Sequence, residues 1–390
     1  MSARDQNVGP GIGTSGGVGE IGVGEIGVGG IGVVVLTYES APELLMLCLR
    51  SVVHEWANSR DADPIVDIVV ADNASPTLAR QTAELVDSLV VETGAPIRFS
   101  SLGENHGFAG GVNRATRSLH PEADLVFLLN PDAEVEAGAI RACATALRSE
   151  SELTVSAAPK MLRSVSTFPE PTIDAVSNAV NEKGEAFNIG LGQPDLGQYD
   201  VAKHCFGPCF GAALFRRSAF GPDFVGELNE SLFMYYEDVE WNWRAQILGF
   251  SSITVPTARV RHVMSASTRD RPYDFKFRLT ERNLLIVALQ CIPGVIAYRI
   301  VFRRVLGLLR GSVRGHYPVA GLRAVGGLAR SLPRAMHRRR EIQRRRRRSH
   351  DDILLYGRGE RTFFDAVRYV PTDGSAARKF AEQKTSEFLG

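Results

Sequence analysis

The chain has 390 residues, 44% apolar and 23% charged, with 45 basic against 44 acidic side chains and a net charge of +1. That length buries a large core, and the balance excludes a protein that is acidic or basic throughout. Five widely spaced cysteines, Cys48, Cys143, Cys205, Cys209 and Cys291, make no disulfide framework.

Residues 1–30 form a Gly-rich leader in which Gly17-Val18-Gly19-Glu20-Ile21 recurs at Gly22 and, in part, at Gly27. Glycine at this density carries a high ordering entropy, so a flexible leader is expected. Arg4 and Asp5 precede no apolar signal-peptide core, so the protein is expected on the cytoplasmic side.

A continuous β-branched run, Ile31 to Leu36, reads as a buried parallel strand ended by Thr37-Tyr38-Glu39-Ser40. Pro42 to Trp56 has a helical apolar stripe. Ile65 to Ala71 is the next strand, closed by Asp72-Asn73-Ala74-Ser75-Pro76, and Thr77 to Val91 the next helix. Ile97 to Ser101 is a short strand, and Gly107 to Leu119 a helix with a Gly-rich start. Asp124 to Leu129 is a strand ending at Asn130-Pro131-Asp132, and Gly138 to Ser149 a helix. This alternation predicts an α/β fold, with a mostly parallel central sheet flanked by helices. Ligands bind such sheets at the C-terminal strand ends, where every polar cluster just named falls.

Residues 151–215 are looser, closing on an apolar, Gly-bearing segment from Cys205 to Arg216. Zinc at His204, Cys205 and Cys209 lacks a second ligand pair, so reduced thiols are the better reading. Asn283 to Leu309 is long and apolar but interrupted by Gln290, Pro293, Gly294 and Arg299. It reads as an interfacial or core-packed helix pair rather than a membrane span. Arg338–Arg340 and Arg344–Arg348 form a dense basic run. The domain plan is therefore 1–30 leader, 31–270 α/β domain, 271–335 helical and membrane-associating extension, and 336–390 Arg-rich segment and tail.

Several clusters can carry chemistry. Asp132, just past a strand end, sits where a ligand for a diphosphate-bound cation should sit, although Asn-Pro-Asp is also a common turn. Asn130 can hold a ribose or a metal-bound water. Asp72-Asn73 suits a nucleotide edge, or an Asx turn capped by Ser75. Asn105 to Asn113 brings glycines that let backbone approach a ligand, and a helix N-terminus that favours phosphate. Glu237-Asp238 places two acids in the aromatic setting Phe233-Met234-Tyr235-Tyr236. Such a setting raises a carboxylate's pKa toward that of a general base, and acids also favour a helix N-terminus. His262 follows a strand-like run, Val255 to Val260, and can complete a metal site.

Taken in order, these segments resemble the inverting glycosyltransferases of family 2, with the GT-A fold, and the rhamnosyltransferase-like branch most. The matched pieces are Val33–Tyr38, Asp72–Ser75, Asn105–Asn113, Leu129–Asp132, Gly211–Leu214, Tyr235–Val239 with Trp243-Arg244, and His262. The resemblance implies a nucleotide-sugar site built from Thr37, Tyr38, Glu39, Asp72, Asn73, Asn105, Gly107, Phe108, Asn113, Asn130 and Asp132. It implies Mg2+ or Mn2+ held by Asp132 and His262, Asp238 as catalytic base and Glu237 as supporting acid. It places Gly211, Ala212, Trp243 and Arg244 on the acceptor side. Asn130 stands where the family usually has the first aspartate of Asp-X-Asp.

The partners so implied are a nucleotide-sugar donor, with rhamnose the branch-based choice, and a glycan or polyprenyl-linked acceptor of cell-envelope polysaccharide. Arg344–Arg348 with the apolar segment before it suits an anionic membrane surface, and so a peripheral enzyme on the inner face of the cell membrane. Two other readings remain open: a nucleotide-sugar-binding protein without chemistry, and a nucleic-acid-associated protein. No nucleic acid is expected, because the basic run lacks interleaved aromatics for stacking.

Overall fold

The computed structural model describes residues 29–59, 63–164, 170–263, 273–315 and 318–360. The Gly-rich leader through residue 28 and the tail from residue 361 lie outside the described residues. The expected strands and helices of the first half are all present: β1 (Gly30–Thr37), α1 (Pro42–Ala57), β2 (Ile65–Asp72), α2 (Ala79–Thr93), β3 (Ile97–Ser101), α3 (Gly107–Ser118), β4 (Ala123–Leu129) and, after the short β5 (Ala133–Val135), α4 (Ala139–Arg148). Strands β3, β2, β1 and β4 lie side by side, all parallel.

Beyond β4 the sheet changes direction. β11 (Ala212–Arg216) runs antiparallel to both β4 and β6 (Thr154–Arg163), and β6 is parallel to β12 (Ser251–His262). The stretch that reads as loose supplies short strands: β7 (Ile173–Ala175) on β6, the hairpin β8 (Asn178–Val180) and β9 (Ala186–Asn188), and β10 (His204–Cys205) at the edge of β12. Strands this short carry too few residues to show a period of two.

Both faces of the sheet are covered, and alternation along the strands decides which residue faces which layer. Val33 and Val35 pack with Leu45, Cys48 and Leu49 of α1, Val86 of α2 and Ile140 of α4. Val34 and Leu36 pack with Ala109 and Val112 of α3 and Trp241 of α5 (Glu237–Ile247). Helix α5 is apolar on two sides. Trp241 and Ala245 belong to the sheet layer, while Val239, Trp243 and Ile247 join a second cluster with residues of α6 (Tyr273–Cys291) and α7 (Gly294–Val313). Helices α8 (Pro318–Arg344) and α9 (His350–Leu354) complete that second core. The C-terminal helices thus share a core with the α/β domain through α5.

The helix pair expected over Asn283–Leu309 is α6 and α7, broken at Pro293, which is the N-cap of α7. Among the described residues no helix is long and apolar enough to cross a membrane. The basic run Arg344–Arg348 is not a free cationic patch. Arg345 donates to the carbonyls of Asp223 and Phe224, Arg346 to that of Cys291, and Arg348 to the Gln246 side chain. Arg345 and Arg346 thereby satisfy carbonyls in a loop and at the C-terminal end of α6.

Candidate active site

Register gathers the polar segments on one edge. Thr37 pairs with Asp72 and Val35 with Leu129, so β1, β2 and β4 end together. Because β11 is antiparallel, Ala212 pairs with Leu129, and Gly211 meets the same edge from the other direction. The last residue of β12, His262, pairs with Ala133 of β5, which sets it beside Asp132.

His262 lies between two carboxylates. Its Nδ1 is 2.8 Å from Asp174 Oδ2, its Nε2 is 3.4 Å from Asp132 Oδ1, and Asn130 Nδ2 is 3.5 Å from the same Nε2. Burial alone would lower its pKa; the neighbouring Asp132 and Asp174 carboxylates outweigh that and push it up to about 10. Asp132 Oδ1 is buried with no well-formed hydrogen bond. A buried carboxylate oxygen left open beside an imidazole, whose far nitrogen is fixed by a second carboxylate, fits a divalent cation that displaces the Nε2 proton. Among the described residues no three His, Cys, Asp or Glu side chains form a metal cage by themselves. The fit is therefore to two protein ligands, with donor phosphates and water completing the shell, as is usual for Mg2+.

Asp238 comes from a different element. It stands in the first turn of α5, preceded by Phe233, Tyr235 and Tyr236, all with positive φ. Its Oδ1 accepts the Val239 N–H at 2.8 Å, and the Phe210 N–H also donates to the carboxylate. With its amide turned to face its acceptors, Asn178 donates to Asp238 Oδ2 at 3.2 Å. Burial outweighs these donors and raises Asp238 to about 6. Glu237 is raised well above the usual range, first by burial and then by the Asp238 charge, and its Oε2 has no hydrogen-bond partner among the described residues. Both carboxyls of the pair are thus raised above the usual carboxylate range, chiefly by burial.

One segment ties the two halves together. Phe210 bonds Asp238, and the carbonyl of the next residue, Gly211, accepts the Asn130 N–H at 2.9 Å. A Cβ on Gly211 would lie 2.7 Å from Met161 Cε, so the end of that side chain would have to shift, and 3.5 Å from Asn130 Nδ2. The Cys209 thiol, pushed up by burial, feels the charges of both Asp238 and Asp174. Asp132, Asn130, His262, Gly211 and Asp238 are therefore linked by one run of contacts, with Ala212 following in β11.

The donor-side residues build the wall through their own bonds. Asp72 is fully buried: Oδ1 accepts from Ser75 Oγ and Thr37 Oγ1, and Oδ2 from the Ser75 N–H. A nucleotide contact by Thr37 or Asp72 comes at the expense of these. Ser75 does not cap α2, whose N-cap is Leu78. Glu39 accepts from the Thr77 and Leu78 N–H groups. Asn73 donates to Asn105 Oδ1 and the Gly107 carbonyl and accepts the His106 N–H. Asn113 is buried and bonded to Leu228 and Glu230. The start of α3 is partly used as well: the Ala109 N–H reaches the Phe233 carbonyl, and Gly107 N–H reaches Asn105. Tyr38 and Phe108 remain half-buried at this wall.

Two expected acceptor-side residues are corrected. Trp243 is fully buried against Phe206 and stacked on His350. Arg244 is buried, pairs with Glu240 at 3.0 Å, and caps the carbonyls of Gly226 and Glu227. Their spacing serves the core of α5. Sequence reasoning missed Asp174 and Asn178, which lie in strands of three residues. It also missed Asn283 of α6, which donates to the carbonyls of Leu232, Met234 and Tyr235. A polar residue opening the apolar run Leu284-Leu285-Ile286-Val287 was the one available signal.

No family model matches the chain. Over 220 residues it is 28% identical to the low-salt glycan biosynthesis hexosyltransferase Agl10 of Haloferax volcanii, covering 55% of this chain and 61% of that protein. The chain thus spans less than two thirds of that curated relative. Its fold is shared with GalNAc-T7, solved with UDP, GalNAc and Mn2+, at a TM-score of 0.52 and 13% identity, over 76% of this chain and 59% of that one. The fold is thus of the GT-A type, a mostly parallel sheet flanked by helices.

Proposed function

We propose that the chain is an inverting, metal-dependent glycosyltransferase that moves a sugar from a nucleoside diphosphate to a hydroxyl of a glycan or lipid-linked glycan. The observation that carries this reading is the continuous path from Asp238 through Phe210 and Gly211 to Asn130, His262 and Asp132. A candidate base joined through one short segment to a candidate metal pair supports a displacement at one carbon. The hexosyltransferase likeness supports the same chemistry.

Asp132 and His262 would hold Mg2+ or Mn2+, whose charge neutralises the departing diphosphate. Asp174 keeps the His262 ring turned so that Nε2 faces Asp132. Ionised Asp238, held by the Phe210 and Val239 N–H groups, takes the proton of the acceptor hydroxyl. The acceptor oxygen bonds the anomeric carbon as the bond to the diphosphate oxygen breaks, so configuration inverts. Glu237 beside it is raised by burial and by the Asp238 charge.

The acceptor proposed is a glycan or polyprenyl-linked glycan of the cell envelope, and the donor panel begins with deoxythymidine-diphospho-rhamnose, then uridine-diphosphate sugars. The test incubates each donor with Mn2+ or Mg2+ and glycan or lipid-linked acceptors, scoring nucleoside diphosphate release and, by NMR, the anomeric configuration of the product. Release from no donor with either ion, or a retained configuration, overturns the proposal.

A further inference from the structure

From Gly294 to Arg340 the sequence holds eleven arginines and no aspartate, glutamate or lysine. In a chain of net charge +1 this concentrates positive charge in α7 and most of α8. Three of the eleven are used internally: Arg304 with Glu281 and Glu185, Arg338 with Glu240, and Arg339 with the Ile292 carbonyl. Among the described residues Arg299, Arg303 and Arg310 of α7 make no ion pair.

Helix α7 has two apolar sides. Ala297, Ile300, Val301, Val305 and Leu308 pack on the C-terminal core. The opposite side carries Val295 at 62% exposure, Phe302 at 69% and Val313 at 90%, with Leu309 beside them. At a helical rise of 100° per residue, positions 295, 302, 309 and 313 form one strip. Positions 299, 303 and 310 form a second strip directly along it. An exposed apolar strip lined by unpaired arginines, with no acid on the element, suits a helix lying in the headgroup boundary of a bilayer.

We infer that the outer face of α7 docks the protein on an anionic lipid surface, with Val295, Phe302, Leu309 and Val313 entering the boundary and Arg299, Arg303 and Arg310 meeting lipid phosphates. The long arginine stems reach past the apolar strip to the headgroups. A second copy of the chain fits this face poorly, because a two-fold contact sets one arginine strip against the other. A nucleic acid would satisfy the arginines but leave the aliphatic strip in water. This differs from docking through Arg344–Arg348, most of whose guanidinium groups are spent on carbonyls and on Gln246. It does not depend on the transfer chemistry, and its test reads no turnover.

The full chain is sedimented with vesicles of phosphatidylcholine alone and with about 30 mol% phosphatidylglycerol. The expected result is recovery with the anionic vesicles only, falling as salt approaches about 1 M, where the screening length is roughly 3 Å. A triple variant, Arg299→Gln with Arg303→Gln and Arg310→Gln, should bind about a hundredfold more weakly, at roughly fivefold per basic residue. Phe302→Asp should abolish recovery, and both variants should keep the wild-type melting curve because the replaced side chains are exposed. Wild-type protein left in the supernatant overturns the inference, as does undiminished recovery of both variants. A solution dimer that Phe302→Asp dissociates, with no vesicle binding, would assign the face to a second copy instead.

Discussion

His262 Nε2 stands 3.4 Å from Asp132 Oδ1, brought there by the pairing of His262 with Ala133 across the sheet. Asp132→Ala removes one of two candidate ligands, so donor affinity measured by calorimetry should lose its dependence on Mn2+. Asp174→Asn leaves both ligands but weakens the bond that orients the ring. Outer-shell losses of this kind typically cost about 10–100-fold in metal affinity. Unchanged, metal-dependent donor binding in Asp132→Ala would remove the residue from the site.

Asp238→Asn should keep donor binding and lower kcat by about 10²–10⁴-fold, the usual share of general base catalysis. In the wild type, a base at about 6 predicts that kcat/KM rises tenfold per pH unit below that value and then levels. The stability effect has the opposite sense. The folded state raises Asp238 from 3.8 to about 6, so its protonated form is favoured by folding. That contribution is complete below about 3.8 and is lost as pH rises through about 6. Melting temperature against pH should therefore be flatter in Asp238→Asn across this window.

Arg244→Ala separates core from acceptor roles. It leaves Glu240 buried with only Arg338 as partner. The expected loss is about 3 kcal/mol, the low end for breaking a buried pair, read by denaturant unfolding. Acceptor KM of the remaining folded enzyme should not move. A selective rise in acceptor KM at unchanged stability would restore the acceptor-side assignment.

Asn283→Ala withdraws the donor that three carbonyls of the Leu232–Tyr235 loop share. Buried acceptors left open cost about 1–3 kcal/mol, and the loop carries two positive-φ residues, Phe233 and Tyr235. The expected outcome is a lower kcat with donor affinity unchanged and the pH profile displaced, because the loop delivers Asp238. An unaltered pH profile would reduce Asn283 to a purely structural role.

The strand ends Thr37, Asp72 and Asn130–Asp132 were legible because parallel βα units put their polar turns on one edge. The carboxylate pair at Glu237-Asp238 was legible because acids among aromatics are rare without a reason. Trp243 and Arg244 misled because they stand beside that pair in sequence, yet on a helix buried on two sides each residue faces its own layer. Asp174 and Asn178 were silent because a three-residue strand has no period to read.

The order of strands and helices, the location of the ligand edge and the identity of Asp132, Asp238 and His262 as candidates come from local pattern alone, since burial and turn chemistry are written residue by residue. Which carboxylate steadies the imidazole, which asparagine holds the loop before Asp238, and which arginines of α7 stay exposed follow only from the folded chain. Those outcomes depend on register between distant strands and on which carbonyls each guanidinium reaches, and neither leaves a periodic mark in the sequence.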